Sequence, residues 1–155
     1  MISSEVLPRY PFFSRLTDRC LEALALLADE EDYQKGVTIF EAGQPARAFY
    51  FLTEGGIDLY YRILDHANPA LREEFLLGYV NPDEPFGISA LIEPYCYTAT
   101  ALVAAPSRAL RIGSVGLRTL FEVDASLSAV FMHSIARVAM ARLHDTSIQL
   151  AATRI

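Results

Sequence analysis

The sequence has only two cysteines, Cys20 and Cys96, far apart along the chain. Two thiols so placed make neither a disulfide scaffold nor a four-cysteine zinc or iron–sulfur site. A reducing, cytoplasmic setting is the simpler expectation, with both cysteines as small core residues. Positive charge is scarce as well: 13 Lys and Arg against 19 Asp and Glu give a net charge of −6. A surface that grips nucleic acid through its phosphates needs the opposite balance, so no nucleic-acid partner is expected. Long apolar runs are missing. No segment reaches the roughly 18 apolar residues of a membrane span, and "MISSEVLPRYPFF" lacks the basic flank and apolar stretch of a signal peptide. Histidine is sparse too: His66 lies in "DHANPAL", and His133 and His144 stand eleven residues apart near the C-terminus. On a helix that is three turns, too far to share one ion. A jelly-roll metalloenzyme needs two or three histidines and a carboxylate converging on one point, and a haem sensor needs an axial ligand with a suitable flank. Neither is in evidence, nor is a Ser, His and acid constellation for nucleophilic catalysis. No catalytic residue and no metal ligand are assigned, and an enzyme is not expected.

What remains is a chain of 155 residues, 52% apolar and 21% charged, sized for one folded domain over 1–155. Leu21, Leu24 and Leu27 recur at helical spacing behind Thr17 and Asp18, which together read as a cap and an acidic first turn. The N-terminal helical part is set at residues 12–30. From residue 33 to 112 the texture changes to short β-type runs such as "VTIFEAGQP", "AFYFLTEGG", "IDLYYRIL", "TATALVAAP" and "RALRI", broken by Gly43, Pro45, Gly55, Gly56, Pro69, Pro82, Pro85 and Pro106. Strands at intervals of about ten residues point to a sandwich, a jelly roll or a barrel. From Val115 the turn signals vanish, and two helices are read over 115–123 and 125–151.

The second of these helices carries its own pattern. Met132, Ala136, Ala139, Leu143, Thr146 and Leu150 advance by four, three, four, three, four, the heptad step that keeps one seam facing a partner helix. Phe131, Ile135 and Val138 form a neighbouring apolar face. Two apolar faces allow packing on the chain's own core with one and on a second copy with the other; packing of both against a single core is the alternative. The reading favours a parallel homodimer through this helix, with alanines at the seam permitting close approach.

The stretch "EPFGISALIEPYCYTATAL" places a glycine at the start of a short helix and a Tyr/Thr-rich strand after it. Together with Lys35-Gly36 before Ile39-Phe40, then Gly43, Gly56, Phe86-Gly87, Ala90-Leu91 and Thr98-Ala99-Thr100, it resembles the cyclic nucleotide-binding domain family over nearly the whole chain. The resemblance implies a mainly β fold: an eight-stranded jelly-roll barrel flanked by an N-terminal helix and a long C-terminal helix. It implies a ligand site at Phe86, Gly87, Ile88, Ser89, Ala90, Tyr97, Thr98 and Thr100, holding a cyclic nucleotide or another small anion.

Two positions depart from the family pattern. Where the resemblance implies a glutamate for the ribose hydroxyl and an arginine for the cyclic phosphate, this chain has Ile88 and Tyr97. Losing both charged contacts costs about 3–6 kcal/mol of affinity unless something replaces them. The candidate replacements are hydroxyls of Tyr97, Thr98 and Thr100, or arginines from adjacent strands: Arg62, Arg72, Arg108 or Arg111. The sequence ends with "TSIQLAATRI" after His144 and Asp145, and no output domain is expected beyond the long helix. Two functions follow: a regulatory sensor that binds a small anion and signals through its C-terminal helix dimer, or a ligand-free dimerising module acting through a protein partner.

Overall fold

The computed structural model describes residues 1–64, 67 and 72–154. His66 and Pro69 lie outside them. Two 3₁₀ turns, Leu7–Arg9 and Pro11–Phe13, lead into helix α1, Asp18–Leu27. Thr17 caps α1 as expected, its hydroxyl accepting the Cys20 amide at 3.3 Å.

The strands are β1 (Ala28–Tyr33), β2 (Thr38–Phe40), β3 (Ala48–Leu64), β4 (Arg72–Val80), β5 (Pro85–Phe86) and β6 (Thr100–Gly113). All pair antiparallel, in the order β1-β6-β3-β4, with β2 added to β6 and β5 to β3. Helices α2 (Ser114–Val123) and α3 (Ala125–Ala152) follow.

Three expectations change. The described sheet has six strands rather than eight, and no pairing among the described residues joins β1 to β4 to close a barrel. The count falls because runs that look separate in sequence are continuous: "AFYFLTEGG" and "IDLYYRIL" are one strand, β3, and "TATALVAAP" with "RALRI" is another, β6. Glycine does not break β3; it bends it. Gly55, at φ +95°, and Gly56 fall where the β3–β6 register slips, and a Cβ on either would collide with Ser107 or Tyr79. Lastly, residues 28–30, placed in the helical part from sequence, begin β1. The acidic run "ADEEDY" has weak β propensity, but as an outer strand it is held by its partner, with Asp32 opposite Arg108 and an ion pair between them at 2.7 Å.

The core lies between the N-terminal turns, the first half of β3 and the start of α3. Phe12, Phe13, Phe49, Phe51 and Phe131 form one aromatic cluster with centroid separations of 5.0–6.3 Å. Leu127, Phe131 and Ile135, one turn apart, are the residues of α3 that are fully buried. Beyond Ile135 the helix leaves the core, and Met140, Leu143, Ile148 and Leu150 are 56–70% exposed. Asp124 caps α3, accepting the Leu127 amide at 3.0 Å and the Cys20 thiol at 3.2 Å. No helix among the described residues is long and apolar enough to cross a membrane.

Candidate functional site

Between β5 and β6 the chain makes the turn singled out in the sequence. Gly87 takes φ +65° and ψ 31° and opens a single 3₁₀ turn, Ile88–Leu91. A side chain at 87 is excluded twice over. The left-handed backbone disfavours it, and a Cβ would lie 3.2 Å from Tyr50 and 3.3 Å from both Phe40 and Tyr97. The first bonded amide of the turn is Ala90, donating to the Gly87 carbonyl at 3.1 Å. The amides of Ile88 and Ser89 precede it and have no carbonyl within the turn to bond. With four residues, the turn sums only a small dipole, so it is a weaker anion cradle than a true helix start.

Tyr97 is a structural spar. Its ring stacks on Phe40 at 3.7 Å between centroids and 13° between planes. Its hydroxyl donates to the Ala48 carbonyl at 2.7 Å and accepts the Ala48 amide at 3.2 Å. The residue is 6% exposed, and burial pushes its phenol up to about 12. Its one proton is committed to Ala48, so the side chain offers a cavity its ring face and not the hydroxyl donor expected from sequence. Its backbone is fixed too, the amide on the Gln44 carbonyl at 3.0 Å and the carbonyl on the Gly43 amide at 2.8 Å.

Between this turn and α3 lies a cavity of about 300 Å³. Gly87, Ile88, Ser89, Tyr97 and Thr98 line one side, with Phe40, Leu59, Leu77 and Ala99 behind them; Ala139, Arg142, Leu143 and Thr146 of α3 line the other. Five of the eight site residues expected from sequence are thus brought together. The other three stand behind the wall: Phe86 stacks on Tyr50 at 5.0 Å, Ala90 is fully buried, and the Thr100 hydroxyl accepts the Ala42 amide at 3.1 Å. The heptad residues divide as well. Ala139, Leu143 and Thr146 border the cavity, Met132 packs on the core, and Ala136 and Leu150 face outward.

Of the strand arginines considered from sequence, Arg62, Arg108 and Arg111 do not line the cavity. Arg108 pairs with Asp32, Glu30 and Glu54, Arg62 pairs with Glu74 at 2.9 Å, and Arg111 stands opposite Tyr50 across the β3–β6 pair. The side chain of Arg72 is outside the described residues. Among the described residues the cation that does line it is Arg142, from α3, whose Nη2 donates to the Pro85 carbonyl at 2.6 Å. Burial lowers its pKa and nearby Glu84 opposes the shift. Arg118 of α2 holds the far end of the turn, donating to the Ala90 carbonyl at 3.2 Å and lying 4.0 Å over the Tyr95 ring. Sequence reasoning missed both arginines, because nothing local signals a contact with a turn 28 or 57 positions away.

A model of the cyclic nucleotide-binding domain matches residues 30–124. The chain belongs to the cyclic nucleotide-binding domain family. A protein of Geobacter metallireducens GS-15, provisionally assigned as cyclic nucleotide-binding, has the same fold with a TM-score of 0.78 and 35% identity, over 93% of this chain and all of that one. The N-terminal domain of a transcriptional regulator from Streptomyces coelicolor A3(2) superposes with a TM-score of 0.64 at 27% identity, over 94% of each chain. Among curated proteins, a CRP-like cAMP-activated global transcriptional regulator of Mycobacterium tuberculosis is 25% identical over 147 residues, 95% of this chain. The chain spans about three fifths (61%) of that relative's length. The family is one of regulatory binding domains.

The cyclic nucleotide that the family implies fits this cavity only in part. Hydroxyls of Ser89 and Thr98, 3.5 Å apart, suit phosphate or carboxylate oxygens, and Arg142 supplies positive charge; the Thr146 hydroxyl on the opposite wall donates to the Arg142 carbonyl at 2.9 Å. Among the described residues no carboxylate lines the cavity to take a ribose hydroxyl; Ile88 stands on that wall. Nor do the described residues hold a cluster of three His, Cys, Asp or Glu side chains suited to a metal ion.

Proposed function

We propose that this cyclic nucleotide-binding domain is a regulatory sensor that takes a small anionic ligand, nucleotide-like or otherwise, between the Gly87 turn and α3, and signals through its C-terminal helices. The observation that carries the reading is the cavity itself. It lies at the turn, it is open, and α3 forms its second wall. At about 300 Å³ it falls at the lower end of small-ligand sites.

The coupling has a physical route. Arg142 and Arg118 tie α3 and α2 to the two ends of the turn, at Pro85 and at Ala90 with Tyr95. A ligand that favours one position of the turn therefore biases the helices, and a shift in populations is all that signalling requires. The half of α3 beyond Ile135, with Leu143 67% and Leu150 56% exposed seven residues apart, supports the homodimer seam as the readout.

The test is a thermal-shift and calorimetry screen of the full chain against cyclic mono- and dinucleotides, nucleotides and small organic acids. A ligand should raise the melting temperature of the wild type, and Ala139→Phe, which fills the cavity from an exposed helix face, should abolish the shift. A ligand whose binding survives Ala139→Phe unchanged, or a screen in which no anion binds, contradicts the proposal and leaves the dimerising module.

A further inference from the structure

The charge and polarity of the cavity wall carry the reading of a ligand site one step further. Among the described residues, Arg142 is the charged side chain that lines it. Its guanidinium has five N–H donors, and among the described residues its side chain bonds the Pro85 carbonyl alone. Among the described residues no carboxylate comes within ion-pair distance of it. Glu84, whose charge acts on Arg142 from beyond that distance, turns Oε1 to the Asn81 amide at 2.8 Å. A half-buried guanidinium with no carboxylate at ion-pair distance, on the wall of a cavity, attracts an anion more strongly than the same group in open water.

The rest of the wall is the wrong lining for a sugar. Phe40, Leu59, Leu77, Ile88 and Leu143 present carbon. Hydroxyls pressed against them lose their water and gain no partner, which costs affinity. An alkyl or aryl body gains on the same surface.

We infer that the cavity takes an amphipathic organic anion, a carboxylate or phosphate carried on an apolar body, with Arg142 of α3 as the partner of its charge. This rests on the cavity being the ligand site. The anion contact, which the family pattern puts at the position of Tyr97, is here moved to the signalling helix. The ligand then bonds the moving part directly.

Calorimetry on the full chain tests this with 4-phenylbutyrate, phenyl phosphate, 4-phenylbutanamide and cyclic AMP as probes. The acid should bind more tightly than its neutral amide by roughly 10- to 150-fold, the span of a charge-assisted contact. The ratio of butyrate to phosphate affinity assigns the head group. Arg142→Gln should bring the acid down to the level of the amide while leaving the amide unchanged, and Arg142→Lys should keep part of the preference. Amide and acid binding equally to the wild type, or Arg142→Gln binding the acid undiminished, overturns the inference; the wild-type pair decides it even if the variant fails to fold. Cyclic AMP binding in the absence of apolar-anion binding sinks this inference while the ligand site stands. Silence from all four probes sinks it too, and the wider screen then judges the site.

Discussion

Removing one oxygen atom separates support from recognition at this site. Tyr97→Phe keeps the ring on Phe40 and deletes only the hydroxyl that bridges the Ala48 carbonyl at 2.7 Å and its amide at 3.2 Å. The stacking contribution, about 0.5–1.5 kcal/mol, is retained. A buried carbonyl loses its donor, which costs about 1–3 kcal/mol. For a chain of this length that is a fall of roughly 2–10 °C in Tm. Urea unfolding at pH 7 measures it, with an unchanged slope as the sign that both states keep their compactness. The pH dependence gives an independent check. The Tyr97 phenol is raised from 10.0 to about 12 in the folded chain. Its folded form therefore holds a proton that the unfolded form gives up, and stability is complete below pH 10 and falls as pH rises toward 12. The loss amounts to about 3 kcal/mol at most, so the gap between wild type and variant should narrow over that window. A variant within about 0.5 kcal/mol of wild type, the usual effect of a neutral surface change, refutes the spar. A tenfold loss of affinity for any ligand found would show that the hydroxyl faces the cavity after all.

Other outcomes follow from the same geometry. Gly87→Ala meets a left-handed backbone and three aromatic neighbours at 3.2–3.3 Å, and should lower stability by about 2–4 kcal/mol in urea unfolding. Leu143→Asp with Leu150→Asp puts charge on the exposed seam of α3; sedimentation velocity should show a wild-type dimer and a folded variant monomer. Asp124 caps α3 and its carboxyl is held below the usual range, first by the Leu127 amide. That contribution is present above about pH 4 and is lost as pH falls through the lowered value. Asp124→Ala should therefore melt lower than wild type at pH 7, and the difference should shrink in acid.

How legible this was in the sequence depends on how local each signal is. Thr17 and Asp124 mark helix starts within four residues of the amides they bond, and α1, α2 and α3 begin and end within a residue or two of the periodic pattern. The Gly87 turn is equally local, since only glycine tolerates both its backbone angle and its neighbours. Strand β1 was hidden because its stability resides in β6, not in "ADEEDY". The strand count was misread because glycines at 55 and 56 signal a bend as readily as an end. Nothing in the sequence around Arg142 marks it, since its contact with Pro85 exists only once α3 is folded back across the turn. The arginines that the strands did advertise, Arg62 and Arg108, found carboxylates nearer by.

The central claim is that a ligand sits between the Gly87 turn and α3. Amide hydrogen exchange of the full chain, with and without saturating probe, reads both walls at once. The account predicts slower exchange at Gly87, Ile88 and Ser89 together with residues 139–146. Unaltered exchange on both walls at saturating ligand, with protection appearing elsewhere, would contradict it.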